Sequence, residues 1–154
     1  MKKLVVVIVM AVATLAASAQ PNFSGNWKLN TSKSKLNDQW SMAPKSIDIN
    51  QSGNQLGVDK HVSFQDNDLT ISDKFTLDGK ECINQGWGDR EKKSTVNWSD
   101  NNKSLIINTT ISMRDGGTMT TRETYSMDGD ALVLDSHASS SYGELEERMV
   151  YEKQ

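Results

Sequence analysis

The sequence predicts an all-β domain, an antiparallel up-and-down β-barrel of about ten strands with one short helix or lid loop after the first strand. Three observations carry this. Turn chemistry recurs roughly every eight to twelve residues, the spacing of a meander of short strands. Between the turns apolar residues tend to alternate with polar ones, where helices would show them three and four apart over longer runs. A set of about ten strands leaves two raw edges unless it closes on itself, and the long crossovers of a sandwich are missing.

The elements follow in order along the chain. Strands are expected near 24–30, 45–51, 54–62, 68–77, 80–87, 92–98, 103–112, 118–127, 130–138 and 144–153. Asp78-Gly79, Asp115-Gly116 and Asp128-Gly129 supply the positive-φ residues that tight hairpins require, and Ser52-Gly53-Asn54 and Asp100-Asn101-Asn102 offer similar chemistry. Ile47/Ile49, Leu105/Ile107/Ile111, Met119/Tyr125/Met127 and Leu132/Leu134 sit at even spacings and share a dry face, with Asp48, Asn108, Thr120 and Asp135 on the wet one. Only 31–44 reads as helical, with Ser32 or Ser34 as caps, Leu36 and Trp40 four apart, and Pro44 as the stop.

Ahead of the barrel, Lys2 and Lys3 precede an apolar run from Leu4 to Ala16 and then the small-x-small site Ala17-Ser18-Ala19. The expectation is a signal peptide over 1–19 and a barrel domain over 20–154, exported to the periplasm or the extracellular space. The apolar run of roughly thirteen residues is shorter than the ~20 a bilayer-spanning helix needs, so no membrane span is expected. No cysteine stands beside the cleavage site to carry a lipid anchor. Removing Lys2 and Lys3 leaves 15 basic residues against 20 acidic, net −5, with the basic residues dispersed. Phosphate recognition needs clustered positive charge, so a nucleic-acid partner is excluded. Cys82 is the single cysteine, so packing and not an internal disulfide must hold the fold. Nothing in the pattern speaks to oligomeric state.

The opening Phe23-Ser24-Gly25-Asn26-Trp27-Lys28-Leu29 resembles the first strand of the calycins, where lipocalins carry G-x-W and fatty-acid-binding proteins carry F-x-G-x-W-K-L. Thr121-Arg122-Glu123, Asp128-Gly129, Leu132-Val133-Leu134 and the terminal Tyr151-Glu152-Lys153 resemble the closing strands of the fatty-acid-binding proteins. With the leader, the whole is similar to a bacterial secreted lipocalin-like protein. The resemblance implies that Gly25, Trp27 and Arg148 close one end of the barrel, the arginine stacking on the indole. It also implies a ligand site drawing on Arg122, Tyr125, Tyr151 and Met119, with Arg122 neutralising a buried carboxylate. Alternation points the other way for Arg122, which shares a face with Thr120 and Thr124 and so reads as solvated. The chain departs from the family in two places: 31–44 is too short for two helices, and Met149 stands where the family's R-x-Y pair would place its arginine.

No catalytic residue, metal site or cofactor is expected. His61 and His137 lack ligand partners at a recurring spacing, Cys82 lacks a base, and Asp66-Asn67-Asp68 and Asp128-Gly129-Asp130 lack the twelve-residue frame of a calcium loop. The N-x-S/T triplets at Asn22, Asn30, Asn97, Asn102 and Asn108 read as composition in a chain rich in these residues. Two functions remain: a barrel enclosing a small hydrophobic or amphipathic ligand such as a lipid or fatty acid, or a secreted, non-enzymatic interaction protein with a filled core. A cavity of a few hundred Å³ would favour the first.

Overall fold

A computed structural model describes residues 19–154, so the expected signal peptide lies, Ala19 apart, outside the described residues. The strands are β1 Gly25–Leu29, β2 Ser46–Ser52, β3 Gln55–Phe64, β4 Asn67–Thr76 and β5 Cys82–Gln85. After a single 3-10 turn at Trp87–Asp89 come β6 Glu91–Trp98, β7 Leu105–Ser112, β8 Thr118–Asp128, β9 Ala131–Ser140 and β10 Gly143–Lys153. All ten belong to one sheet in the order β4-β3-β2-β1-β10-β9-β8-β7-β6-β5, every pair antiparallel. Sequential neighbours pair throughout, and β1 meets β10 with Trp27 opposite Lys153. This is the up-and-down barrel that the alternation predicts.

Between β4 and β5 the ladder lapses, and side chains take its place. The Asn84 carboxamide accepts from Lys74 N at 2.8 Å and donates to Lys74 O at 3.0 Å, so it stands in for a peptide group of a neighbouring strand. Inside the wall, Lys92 and Asp73 reach across the same seam at 2.5 Å.

The expected tight turns form with the required backbone: Gly53, Gly79, Gly116, Gly129 and Asn102 all have positive φ. At Gly79 the requirement is doubled, because a Cβ there would lie 2.6 Å from Asn97 Oδ1. The β3–β4 hairpin turns at Gln65 and Asp66, at φ 48 and 62, without the glycine that marks the others in sequence.

Residues 31–44 form the lid loop and not the helix. Asn30 Oδ1 accepts from Ser32 Oγ and Lys33 N, and Ser34 Oγ donates to Asn30 O. Asn37 Oδ1 accepts from the amides of Gln39 and Trp40. These local bonds offer the backbone partners that a helix would otherwise supply. Lys35 instead pairs as an isolated bridge with Arg148 of β10. Leu36 packs on the core while Trp40, its expected helical partner, is 56% exposed. Among the described residues no helix is long and apolar enough to cross a membrane.

Candidate functional site

Up-and-down connection sorts the turns to the two ends of the barrel. The N-terminal residues 19–24 and the β2–β3, β4–β5, β6–β7 and β8–β9 turns lie at one end, the base. The lid loop and the β3–β4, β5–β6, β7–β8 and β9–β10 turns lie at the other, the mouth. The inward side chains change character between them.

At the base the interior is filled. Phe23, Trp27, Ile47, Val96, Leu105, Ile107, Leu132, Leu134, Met149 and Tyr151 form one buried apolar cluster. Trp27 Nε1 donates to Phe23 O at 2.9 Å, and Phe23 stacks on Trp98 with centroids 6.3 Å apart. Gly25 has φ +150, and a Cβ there would meet Lys153 Cε at 3.0 Å, so a side chain would crowd the strand beside the indole. Gly25 and Trp27 lie together at the base, and the cation over the indole is not Arg148. Lys153 Nζ lies 5.6 Å from the Trp27 ring centroid, whereas Arg148 points outward and holds both oxygens of Asp135 at 2.8 Å. Strand alternation decides this: Arg148 is out of phase with the inward Glu147, Met149 and Tyr151.

Above the base the inward positions turn charged. Lys60, Asp73, Lys92, Glu123 and Glu147 occupy the phase that Val58, Phe75, Val96, Tyr125 and Met149 hold lower down. Glu123 and Glu147 both stand beside Ser136 of β9, and Ser94 Oγ and Thr109 Oγ1 bond at 2.8 Å across β6 and β7. Lys60 Nζ meets Glu123 Oε1 at 2.5 Å, although β3 and β8 are five strands apart in either direction round the wall. The pair therefore spans the lumen as a strut. Its side chains are only 15% and 18% exposed.

Beneath the strut lie two phenols. Tyr125 OH donates to Glu123 Oε2 at 3.4 Å, and burial first, then the charges of Glu123 and Asp73, hold its ionisation well above the ordinary range. Tyr151 OH donates to Pro44 O at 3.1 Å, and burial again is the main force raising it. Both are neutral donors at any working pH. Tyr151 and Glu147, whose Oε1 accepts from Asn37 N at 3.0 Å, tie the lid loop to the barrel from inside.

Over the strut, toward the mouth, the lumen is hollow. The cavity has a volume of about 470 Å³. Phe64, Ile71, Ile111, Met113 and Met119 form much of its wall, and Met42 of the lid and Trp87 of the β5–β6 turn bound it above. Phe64 at the end of β3 and Trp87 of the β5–β6 turn meet edge to face with centroids 5.5 Å apart and remain partly exposed at the mouth. Three cations line the cavity. Lys60 and Lys92 are paired with Glu123 and Asp73, while Arg90 has no carboxylate within salt-bridge reach. Among the described residues its Nε, buried, has no hydrogen-bond partner, and its Nη1 meets only Met113 Sδ, at 3.9 Å.

Of the four residues expected to touch ligand, only Met119 lines this cavity. Tyr125 and Tyr151 point inward but are packed into the base. Arg122 stands on the outer face, exposed, with Nη1 3.4 Å from Asn108 Oδ1, so it cannot meet a molecule in the lumen. Alternation had placed it there, and the resemblance had not. The charged ring and Arg90 were missed, although the signal was present: Val58-x-Lys60-x-Val62, Ile71-x-Asp73-x-Phe75 and Glu147-x-Met149-x-Tyr151 each set a charge in phase with core residues. Among the described residues no three His, Cys, Asp or Glu side chains group as a metal site.

No protein-family model matches the chain, and no curated protein does. Solved structures similar to it in three dimensions include two barrels of known ligand class. The zebrafish ileal bile acid-binding protein complexed with cholic acid has a TM-score of 0.58 at 19% identity, over 86% of this chain and 98% of that one. The apo lipid binding protein 8 of Caenorhabditis elegans has a TM-score of 0.58 at 13% identity, over 86% of this chain and 95% of that one. At such identities the likeness is one of fold: this chain is a ten-stranded antiparallel up-and-down barrel that shares its fold with these two proteins.

Proposed function

We propose that the protein is an exported binding protein that encloses one small apolar or amphipathic molecule of the lipid class in the upper half of its barrel. The observation that carries this reading is the cavity: about 470 Å³, largely apolar in its lining, with a few polar groups set among aromatic and thioether side chains. That volume falls within the ~300–1,000 Å³ of small-molecule sites, and the lining has their usual character. The cholic acid complex of one barrel of this fold, and the lipid-binding name of another, support the same reading. Export rests on the leader alone, from Lys2 to Ala19, and N-terminal sequencing of the exported protein should begin at Gln20. The reading assigns the protein no chemical step.

The test is uptake of an environment-sensitive fatty-acid probe by the purified protein. Binding should saturate near one molecule per chain, and unlabelled lipid should release the probe. Absence of uptake at any concentration below the probe's own aggregation would overturn the reading and leave the interaction protein in its place.

A further inference from the structure

We propose that Arg90 is the anchor for an anionic head group, and that the ligand lies head at the mouth and tail toward the strut. The proposal rests on the cavity being the ligand site and adds the chemical class and the direction of what fills it. Among the cavity's three cations, two are neutralised by paired carboxylates: Lys60 by Glu123 across the lumen and Lys92 by Asp73 along the wall, each at 2.5 Å. Arg90 alone offers donors that the protein does not use. A buried donor left without an acceptor costs about 1–3 kcal/mol, more when charged, so a guanidinium in this state is an unfilled recognition element. Asp115, which feels its charge, is already engaged by the Tyr142 hydroxyl and the Gly117 amide.

The backbone holds Arg90 in place. Gly86 N donates to Arg90 O at 2.6 Å, closing the β5–β6 turn that also carries Trp87. Arg90 therefore stands at the mouth end of β6, two inward positions above Ser94, while Lys92 lies between them in the charged ring. A planar guanidinium presents paired donors that match a carboxylate, sulfate or phosphate oxygen pair. Below it Ile71, Ile111, Met113 and Met119 provide apolar wall for one tail, and the Lys60–Glu123 strut is the floor. Because the floor's charges are mutually satisfied, an acidic group sent to the bottom would meet no free cation. The mouth is the end that recognises charge.

The experiment compares dodecanoate with dodecanol, which share a tail and differ in head-group charge, by calorimetric titration of the purified protein. Dodecanoate is expected to bind about 10- to 100-fold more tightly, the scale of a hydrogen bond to a charged group. Arg90→Met should abolish that preference while leaving the dodecanol Kd within about threefold; Arg90→Lys, keeping charge but losing the fork, should retain part of it. Arg90→Gln carries the same comparison where the methionine variant fails to fold. Equal affinity of the two ligands for the unmodified protein, or equal weakening of both by Arg90→Met, overturns the anchor and leaves the cavity reading intact. Binding of neither ligand overturns both.

Discussion

The two ends of the barrel are built from the same ten strands and differ in what the inward phase carries. At the base that phase is Trp, Leu, Ile and Tyr packed to exclusion, with residues 19–24 folded across it and Phe23 set into the core. At the mouth it is Met, Ile and Phe around empty space, over a floor of paired charges. The difference separates two demands that one lumen cannot meet together. A filled core supplies stability, because apolar burial and close packing grow with every side chain added. A binding site requires surface that stays unburied until the ligand arrives. In this chain the strut marks the boundary between them.

The sharpest test of that division is at the base. Trp27→Ala should cost about 3–5 kcal/mol in urea unfolding, since the substitution removes a buried indole, its bond to Phe23 O and the ring beneath Lys153. A loss under about 1 kcal/mol would show that the base is not the stabilising end.

Breaking the strut should come next. Lys60→Met alone leaves the Glu123 carboxylate buried without its partner, at a cost of about 3 kcal/mol, the lower part of the range for buried pairs because both groups keep some solvent. The double variant Lys60→Met, Glu123→Leu should recover most or all of it, as apolar replacement of a buried pair commonly does. If the double variant is no more stable than the single one, the strut is more than a paired floor.

Two methionines make the comparison at matched chemistry. Met149→Ala, in the base, should cost about 2–5 kcal/mol, whereas Met119→Ala, which fronts the cavity, should cost about 1 kcal/mol or less because little new void is made. Chemical denaturation of the pair reads the difference directly. Equal costs would mean that the mouth is packed as tightly as the base.

Most of this architecture is legible in the sequence because a strand's period of two is a strong constraint. Every expected strand forms, the Asp-Gly turns fall where expected, and Arg122 lies on the face its parity gives. What escapes has physical causes. Residues 31–44 have helical spacing at Leu36 and Trp40, but the Asn and Ser side chains capture the local backbone first. The inward Lys60, Asp73, Lys92 and Glu123 go unremarked in the sequence because charge is normally outside, and only partners from distant strands make their burial tolerable. Arg148 and Lys153 divide by the same rule: alternation turns Arg148 outward to Asp135, and register sets Lys153 opposite Trp27, so Lys153 is the cation that reaches the ring.

The smallest effect concerns acid, and it sets the turns of both ends against the filled core. Three carboxylates at the mouth or the start of the lid have ionisation held below the ordinary range. The Ser63 hydroxyl and then Lys45 lower Asp68, the Tyr142 hydroxyl and the Gly117 amide lower Asp115, and Lys33 and then Asn30 lower Glu152. At the base Asp78 is lowered in the same way by Thr76 and the Lys80 amide. A carboxylate depressed by folding adds stability that is complete above its unfolded pKa of about 4 and is lost as pH falls through the folded value. All four are fully solvated, so the effect on global stability is small. It should instead appear locally, as loss of amide protection in the β3–β4, β4–β5 and β7–β8 turns and at residues 30–34 below about pH 4, while the amides around Trp27 stay protected. Tyr142→Phe removes the main force on Asp115, so its titration should rise toward the ordinary carboxylate value and the acid-dependent exchange of the β7–β8 turn should flatten. An unchanged Asp115 titration in that variant would mean that the Tyr142 bond does not hold the mouth.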